Sequence, residues 1–167
     1  MSRVARFHAD RTNQKLYFAR LACQQASQTE HVQQAQASRE AAVFHLQGAV
    51  LAFLQELVRY YRLDDRMPTL LSVEEKMAQR GQVSPEINVL KQLTQQGFLA
   101  ELKRAYRLSQ YAPEPAEPTP EDETSSNLII KVTQSPQAWL PDTEILREWH
   151  RLLTELIDGF RNEMVEF

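Results

Sequence analysis

The residues that could carry chemistry are few and widely spaced. The chain has 167 residues, with four histidines and a single cysteine, Cys23. No two of these side chains stand at a spacing typical of metal ligands, and no glycine-rich phosphate loop or Gly-x-Ser-x-Gly turn occurs. Cys23 lies in an apolar stretch, which favours an inert core thiol over a nucleophile. The sequence therefore predicts no metal and no cofactor.

One arginine–histidine pair, Arg39 and His45, suggests a catalytic hypothesis. Residues 44–54 resemble the core helix of the HEPN superfamily, helical bundles that include metal-independent ribonucleases, and the pair matches the loose spacing of that superfamily's motif. The resemblance implies that Arg39 would hold a phosphate and that His45 would handle protons. On a straight helix, however, the two side chains point about 120° from each other. The alternative is a helix-side arginine and a packed or rim histidine.

A basic and aromatic pattern, Arg-x-Tyr-Arg-Leu, occurs twice. The candidate nucleic-acid-binding side chains in the two copies are Arg59, Tyr61, Arg62, Arg104, Tyr106 and Arg107. Tyrosines can stack on bases while guanidinium groups bind phosphates. Each copy also lies near the C-terminus of a predicted helix, where cations offset the negative end of the helix dipole. The net charge of −3 favours this structural interpretation, because nucleic-acid binders are typically basic.

Helices must position these residues. Only four glycines occur, whereas sheets with tight turns usually need more, and the 43% apolar and 25% charged fractions are ordinary for a globular protein. Apolar periodicity predicts helices over 3–27, 31–63, 72–81, 85–110 and 142–164. The helix over 85–110 should bend or break at Gln96-Gly97, because its apolar face rotates there.

The second predicted helix should be the central one. Apolar residues recur along it in steps of three and four, and a second set makes the opposite face apolar as well: Val43, Leu46, Val50, Phe53, Leu57 and Tyr60, then Phe44, Gly48, Leu51 and Ala52. A helix that is apolar on all sides is buried on all sides, so we expect neighbours around it. Helix starts are predicted by capping boxes at Ser27–Glu30 and Ser72–Glu75, and by Ser84 followed by Pro85.

Charge is distributed unevenly along the chain. The balance is +4 over residues 1–29, +1 over 30–111 and −8 over 112–167. Such asymmetry allows internal pairing of the two ends, or a basic surface for an anionic partner. Four prolines and five acidic residues predict a flexible linker over 112–127. Residues 128–133 read as a short extended segment that either lies against the bundle or pairs with a partner's strand.

Two further patterns concern location and family. The N-terminus has no apolar signal run, and the most apolar stretch, 41–58, falls short of a membrane span, so we expect a cytoplasmic protein. Residues 11–21, 44–49 and 51–54 resemble an uncharacterised family of short gammaproteobacterial proteins, known only as a domain of unknown function. The resemblance covers most of the chain. It implies a bacterial cytosolic protein, with no activity or catalytic residue to carry over.

These patterns together predict an all-α, up-and-down bundle of four main helices plus short ones, in one domain over 1–167. The leading functional hypothesis is a non-enzymatic interaction or adaptor protein that presents a bundle face, or residues 112–135, to a protein partner. The alternative is a nucleic-acid-binding or HEPN-like RNA-cleaving protein that uses the basic and aromatic clusters. We expect no membrane association, and the apolar stripe of the C-terminal helix would allow a homo-oligomer.

Overall fold

The computed structural model describes residues 3–111 and 139–165, and these ranges are helical without any strand. They form six helices: α1 (Arg3–Gln28), α2 (Val32–Tyr60), α3 (Leu70–Gln79), α4 (Pro85–Gln96), α5 (Phe98–Gln110) and α6 (Thr143–Val165). The all-α prediction is confirmed. The predicted linker over 112–127 and the predicted extended segment over 128–133 lie outside the described residues.

The C-terminal helix α6 docks on the hairpin that α1 and α2 form. Near the start of α2, the Arg39 guanidinium donates to the carbonyl of Pro141, just before α6. Near the end of α2, Phe53 stacks on Phe160, with ring centroids 5.8 Å apart. α6 therefore runs parallel to α2 and antiparallel to α1. Of the apolar stripe predicted for the C-terminal helix, Ile145 is exposed, whereas the following residues are buried in the core: Leu146, Trp149, Leu153, Ile157 and Phe160.

The predicted helix over 85–110 is divided into α4 and α5 at the position where the sequence predicts a break. Gly97 adopts an extended conformation between the two helices. A Cβ on Gly97 would stand 2.8 Å from Leu93 Cδ2 and 3.0 Å from the Leu93 backbone, so a side chain does not fit there. Tyr106, late in α5, contacts Phe44, early in α2. With α1 up, α2 down, α4–α5 up and α6 down, the four main rods form the predicted up-and-down bundle.

Helix α2 is central, but it is not buried on all sides. It contacts α1, α3, α5 and α6, and Leu46, Phe53 and Leu57 are fully buried. By contrast, Phe44 and Leu51 are 48% and 45% exposed, so the prediction of burial on this second face is wrong for these two residues, whereas Ala52 is buried. The reason is that no helix of the described ranges covers the strip of α2 between α1 and α3.

By length and composition α2 could cross a membrane. A core helix meets the same criteria, because both must be apolar over many turns. In this structure α2 packs against α1, α3, α5 and α6, and its buried residues include leucines and a phenylalanine. The place of α2 in the bundle therefore accounts for its composition.

Two of the three predicted helix caps are wrong. Ser27 does not cap α2, because its hydroxyl donates back to the carbonyl of Cys23 at 2.9 Å and α2 begins after His31 without a side-chain cap. The capping box of α3 is Thr69 with Ser72, one turn before the predicted one, with reciprocal bonds of 2.9 and 3.1 Å. The Ser84 cap of α4 is confirmed, since its hydroxyl accepts from a backbone N–H at 3.2 Å.

Candidate functional site

The structure does not bring Arg39 and His45 together. The Arg39 guanidinium reaches the carbonyl of Pro141 at 3.4 Å, beside the start of α6. The His45 ring instead lies edge-on to Phe18 and Phe44, with centroids 5.3 and 5.4 Å away, beside α1. The two side chains occupy different sides of α2, as their separation on one straight helix indicates. They do not converge on a common phosphate.

His45 is a packed histidine at the edge of the core. Its Nδ1 is buried and makes no hydrogen bond within the described part of the chain. Burial lowers the pKa of His45, and the nearby cations Lys15 and Arg11 lower it further. The imidazole is therefore biased toward its neutral form. In the described ranges no three histidine, cysteine or acidic side chains gather to hold a metal.

Cys23 is also a core residue. Its side chain is buried on α1, next to a small cavity of about 140 Å³ that Arg147 and His150 of α6 help to line. Burial raises the pKa of the Cys23 thiol, and the opposing effect of Arg147 is smaller. Because the thiolate is the nucleophilic form, this environment favours an unreactive thiol.

The first copy of the basic and aromatic pattern lies at the end of α2. Tyr61 donates its hydroxyl hydrogen to the buried Glu86 carboxylate at 2.6 Å, and burial together with this bond raises the pKa of Tyr61 to about 12. Arg80 donates to the backbone carbonyls of Tyr61 and Arg62 at 3.2 and 3.0 Å. Arg59 and Arg62 are exposed, but Tyr61 joins α2 to α4 and is not available to stack on a base.

The second copy lies far from the first. Arg104 and Arg107 are exposed on α5, while Tyr106 packs on Phe44, with ring centroids 6.5 Å apart. Phe44 precedes Tyr60 by sixteen residues on α2, which corresponds to about 24 Å along the helix. The six predicted side chains therefore form two separate groups, one at the C-terminal end of α2 and one beside its middle.

A concave surface that the sequence did not predict lies on the uncovered strip of α2. Two adjoining cavities of about 450 and 430 Å³ share Gln47, Leu51 and Thr69 in their linings. We call the pair the α2 groove. Its floor is Phe44, Gly48 and Leu51, and its walls are α1 on one side and the start of α3, with α4 and α5, on the other. Its dimensions suit a small ligand or the side chains of a partner.

Lys15 lies across the floor of the α2 groove. A Cβ on Gly48 would stand 3.1 Å from Lys15 Cδ and 3.2 Å from Cε, so the stem of Lys15 occupies the space that glycine leaves. The Lys15 ammonium lies 4.9 Å from the centroid of the Phe44 ring, a cation–π contact. Burial lowers the pKa of Lys15, and the Arg11 guanidinium lowers it further. The groove thus holds a partly desolvated cation.

Unpaired cations are concentrated at one end of the α2 groove. Near α3 and α4, Lys91 forms an ion pair with Glu74 at 2.5 Å, and Lys103 of α5 is the one cation of that cavity without an ion pair among the described side chains. At the α1 end, Arg11, Lys15 and Arg66 have no carboxylate within ion-pair distance among the side chains that the structure describes. The result is a mostly apolar groove with a cationic end.

The sequence contains the signal for this groove in the second apolar set of α2. Phe44, Gly48 and Leu51 stand there at helix-packing spacing, and the spacing alone reads as a buried face. Nothing in the spacing distinguishes a face that the chain covers from one that it leaves open. The cations at the cationic end of the groove come from α1 and from the connection after α2, which only the fold brings together.

Comparisons with known proteins give a family without a described role. None of the curated proteins and none of the solved structures matches the chain. A family of unknown function (DUF6586) matches residues 7–167, nearly the whole chain. This confirms the predicted resemblance to an uncharacterised family. The chain belongs to the family of unknown function DUF6586.

Proposed function

We propose that this protein is a non-enzymatic interaction or adaptor protein of the bacterial cytoplasm, and that it binds a protein partner in the α2 groove. The observation that carries the proposal is the exposure of Phe44, Leu51, Met67 and Leu71, all of which line the groove. Single apolar residues on a surface need no explanation, whereas a contiguous concave set is typical of a binding site.

The size of the exposed set supports a transient complex. Fully burying one large apolar side chain contributes about 1.5–3 kcal/mol, so covering the exposed parts of four contributes several kcal/mol. Association itself costs at least about 4 kcal/mol in lost freedom of motion. A micromolar complex needs about 8 kcal/mol of net binding free energy. Charged contacts at the cationic end would therefore have to add to the apolar ones.

The lining favours a protein over a nucleic acid. Bases stack on aromatic rings and phosphates bind cations, but aliphatic side chains such as Leu51, Leu70 and Leu71 serve neither purpose. The nucleic-acid alternative stays a prediction. Gel shifts with single-stranded RNA and DNA at low salt check it, because phosphate contacts are strongest there. Retardation that is lost in the Arg62→Ala, Arg107→Ala double variant would favour it over the groove.

Site-specific photo-crosslinking in cells tests the proposal. A photoreactive amino acid at Leu71, which is 63% exposed in the groove, is compared with one at Ile145, which is 44% exposed on α6. We expect a discrete protein adduct at Leu71 only, and we expect Leu51→Asp to abolish it. Equal adducts at both positions, or an adduct that survives Leu51→Asp, would contradict the proposal. Circular dichroism of each variant confirms that its fold is intact.

A further inference from the structure

The exposed strip of α2 has the spacing of a helix-packing seam. Phe44, Gly48, Leu51 and Gln55 follow one another in steps of four, three and four residues, and all four line the α2 groove. Helices of a bundle interlock their side chains at this spacing. From Phe44 to Gln55 the strip is about 17 Å long, which is about three helical turns. The floor therefore matches the face of one further helix.

The shape of the α2 groove also fits side chains from a helix. Leu51 belongs to the linings of both cavities and stands between them. In a helix pair, a side chain of one helix inserts between several side chains of the other. Leu51 would be such an inserted residue, and each cavity would take a large side chain of the opposing helix. A single acyl chain needs one continuous channel instead.

The cationic end identifies the charge of the occupant. The Lys15 ammonium is partly desolvated, and the charged neighbour that perturbs it, Arg11, has the same sign and lies one turn away on α1. Arg66 adds a third cation to the same cavity. Like charges one turn apart are destabilising, and a desolvated charge without a partner costs free energy. A carboxylate at this end would relieve both costs.

We infer that the α2 groove takes an amphipathic helix of a partner protein, with acidic side chains at the end that faces Arg11, Lys15 and Arg66. The inference rests on the proposed function and adds the conformation and the charge of the partner segment. Seam spacing identifies a helix, and charge complementarity identifies its acidic end.

Fluorescence anisotropy with two labelled peptides tests the inference on the full-length protein. Each peptide is a helix of about 18 residues with leucines at seam spacing. One peptide carries three glutamates at one end, and the other carries three lysines in the same places. We expect the glutamate peptide to bind about tenfold more tightly at low ionic strength, and we expect added salt to narrow the difference.

Two charge reversals on α1 provide the matched control. Lys15→Glu changes a cation inside the α2 groove, whereas Arg20→Glu changes one outside it. We expect Lys15→Glu to abolish the preference for the glutamate peptide and Arg20→Glu to retain it. Lys15→Gln, which introduces no new charge, should reduce the preference by a smaller factor. Thermal unfolding of each variant shows whether its fold is unchanged.

The outcomes separate this inference from the proposed function. Equal affinities of the two peptides, both lost in Leu51→Asp, would overturn the acidic partner and leave the groove as a protein-binding site. If neither peptide binds while Leu71 still gives its crosslink, the helical occupant is overturned. A dimer in sedimentation that Leu51→Asp dissociates would assign the α2 groove to a second copy of the chain and overturn the inference as well.

Discussion

Two faces of α2 carry similar residues: the face that contacts α6 and the face that lines the α2 groove. Each carries a phenylalanine, Phe53 on one and Phe44 on the other. On the first face Phe53 stacks on Phe160 and is 1% exposed. On the second face Phe44 lies tilted against Tyr106, with ring centroids 6.5 Å apart, and stays half exposed. The two rings differ in what stands opposite them, not in residue type or spacing.

The charges on the two faces differ in the same way. The buried Glu56 carboxylate accepts from Arg161 at 2.7 and 3.0 Å, and Arg161 also donates to Asn13 of α1 at 2.8 Å, so α1, α2 and α6 are joined. At the groove, Lys15 has no carboxylate partner in the described part of the chain. The first face is completed by the chain's own α6, whereas the second is the face to which we assign a protein partner.

Truncating the two phenylalanines should give the largest contrast. Phe53→Ala should lower the free energy of unfolding by about 3–5 kcal/mol, because it leaves a cavity in the core. Phe44→Ala should cost about 1 kcal/mol, because half of that ring is already in water. Urea denaturation measures both. Equal losses of unfolding free energy in the two variants would show that Phe44 belongs to the core. The two faces of α2 would then not differ in burial.

Removing one cation from each face should give the next largest contrast. Arg161→Leu should destabilise the protein by about 2–3 kcal/mol, because the buried Glu56 carboxylate loses its charged partner. Lys15→Leu should change stability by no more than about 0.5 kcal/mol, since no carboxylate is left unpaired. Adding Glu56→Gln to Arg161→Leu should restore part of the loss. A large loss for Lys15→Leu in chemical denaturation would reveal a structural partner for that cation.

Two glycine substitutions test the place of Lys15 on the groove floor. Gly159→Ala on α6 meets no atom within 4 Å and should stabilise the protein by about 0.5–1 kcal/mol through helix propensity. Gly48→Ala should gain less, because its Cβ would displace the stem of Lys15. Melting temperatures measure both. In the Lys15→Ala background, Gly48→Ala should gain as much as Gly159→Ala, and a persistent shortfall would contradict this packing.

The smallest expected contrast is in the response to pH. Burial together with Lys15 and Arg11 lowers the pKa of His45 below its usual 6.5, so the unfolded chain binds a proton more readily than the folded chain. The contribution of His45 to the free energy of unfolding should therefore fall as the pH drops below about 6.5 and be constant above it. His150 on the α6 face shifts in the same direction, but its bond to the carbonyl of Leu16 opposes the shift.

Urea denaturation at pH 7 and pH 5.5 checks the origin of this response. His45→Phe, which keeps a ring against Phe18 and Phe44, should flatten the dependence on pH more than His150→Phe does. A pH dependence that is unchanged in His45→Phe would mean that groups away from the α2 groove determine it.

Local patterns predicted the helices well and their caps unevenly. Four helices begin and end within about three residues of the predicted bounds, and the break at Gly97 follows from a glycine where the apolar face rotates. Serine caps depend on competing partners. Ser72 is part of an earlier box because it bonds both Thr69 and Asp65, and Ser27 bonds Cys23 and Arg147. Those partners are set by tertiary contacts that the local pattern does not contain.

The sequence by itself determined that the described residues fold as apolar-seamed helices, because helical periodicity is a property of neighbouring residues. Only the tertiary structure decided which seam of α2 another helix covers, and that Arg11, Lys15 and Arg66 meet at the end of the uncovered one. The physical reason is that coverage depends on how distant helices pack side by side. An apolar seam indicates that another surface must cover it, but it does not indicate whether the same chain supplies that surface.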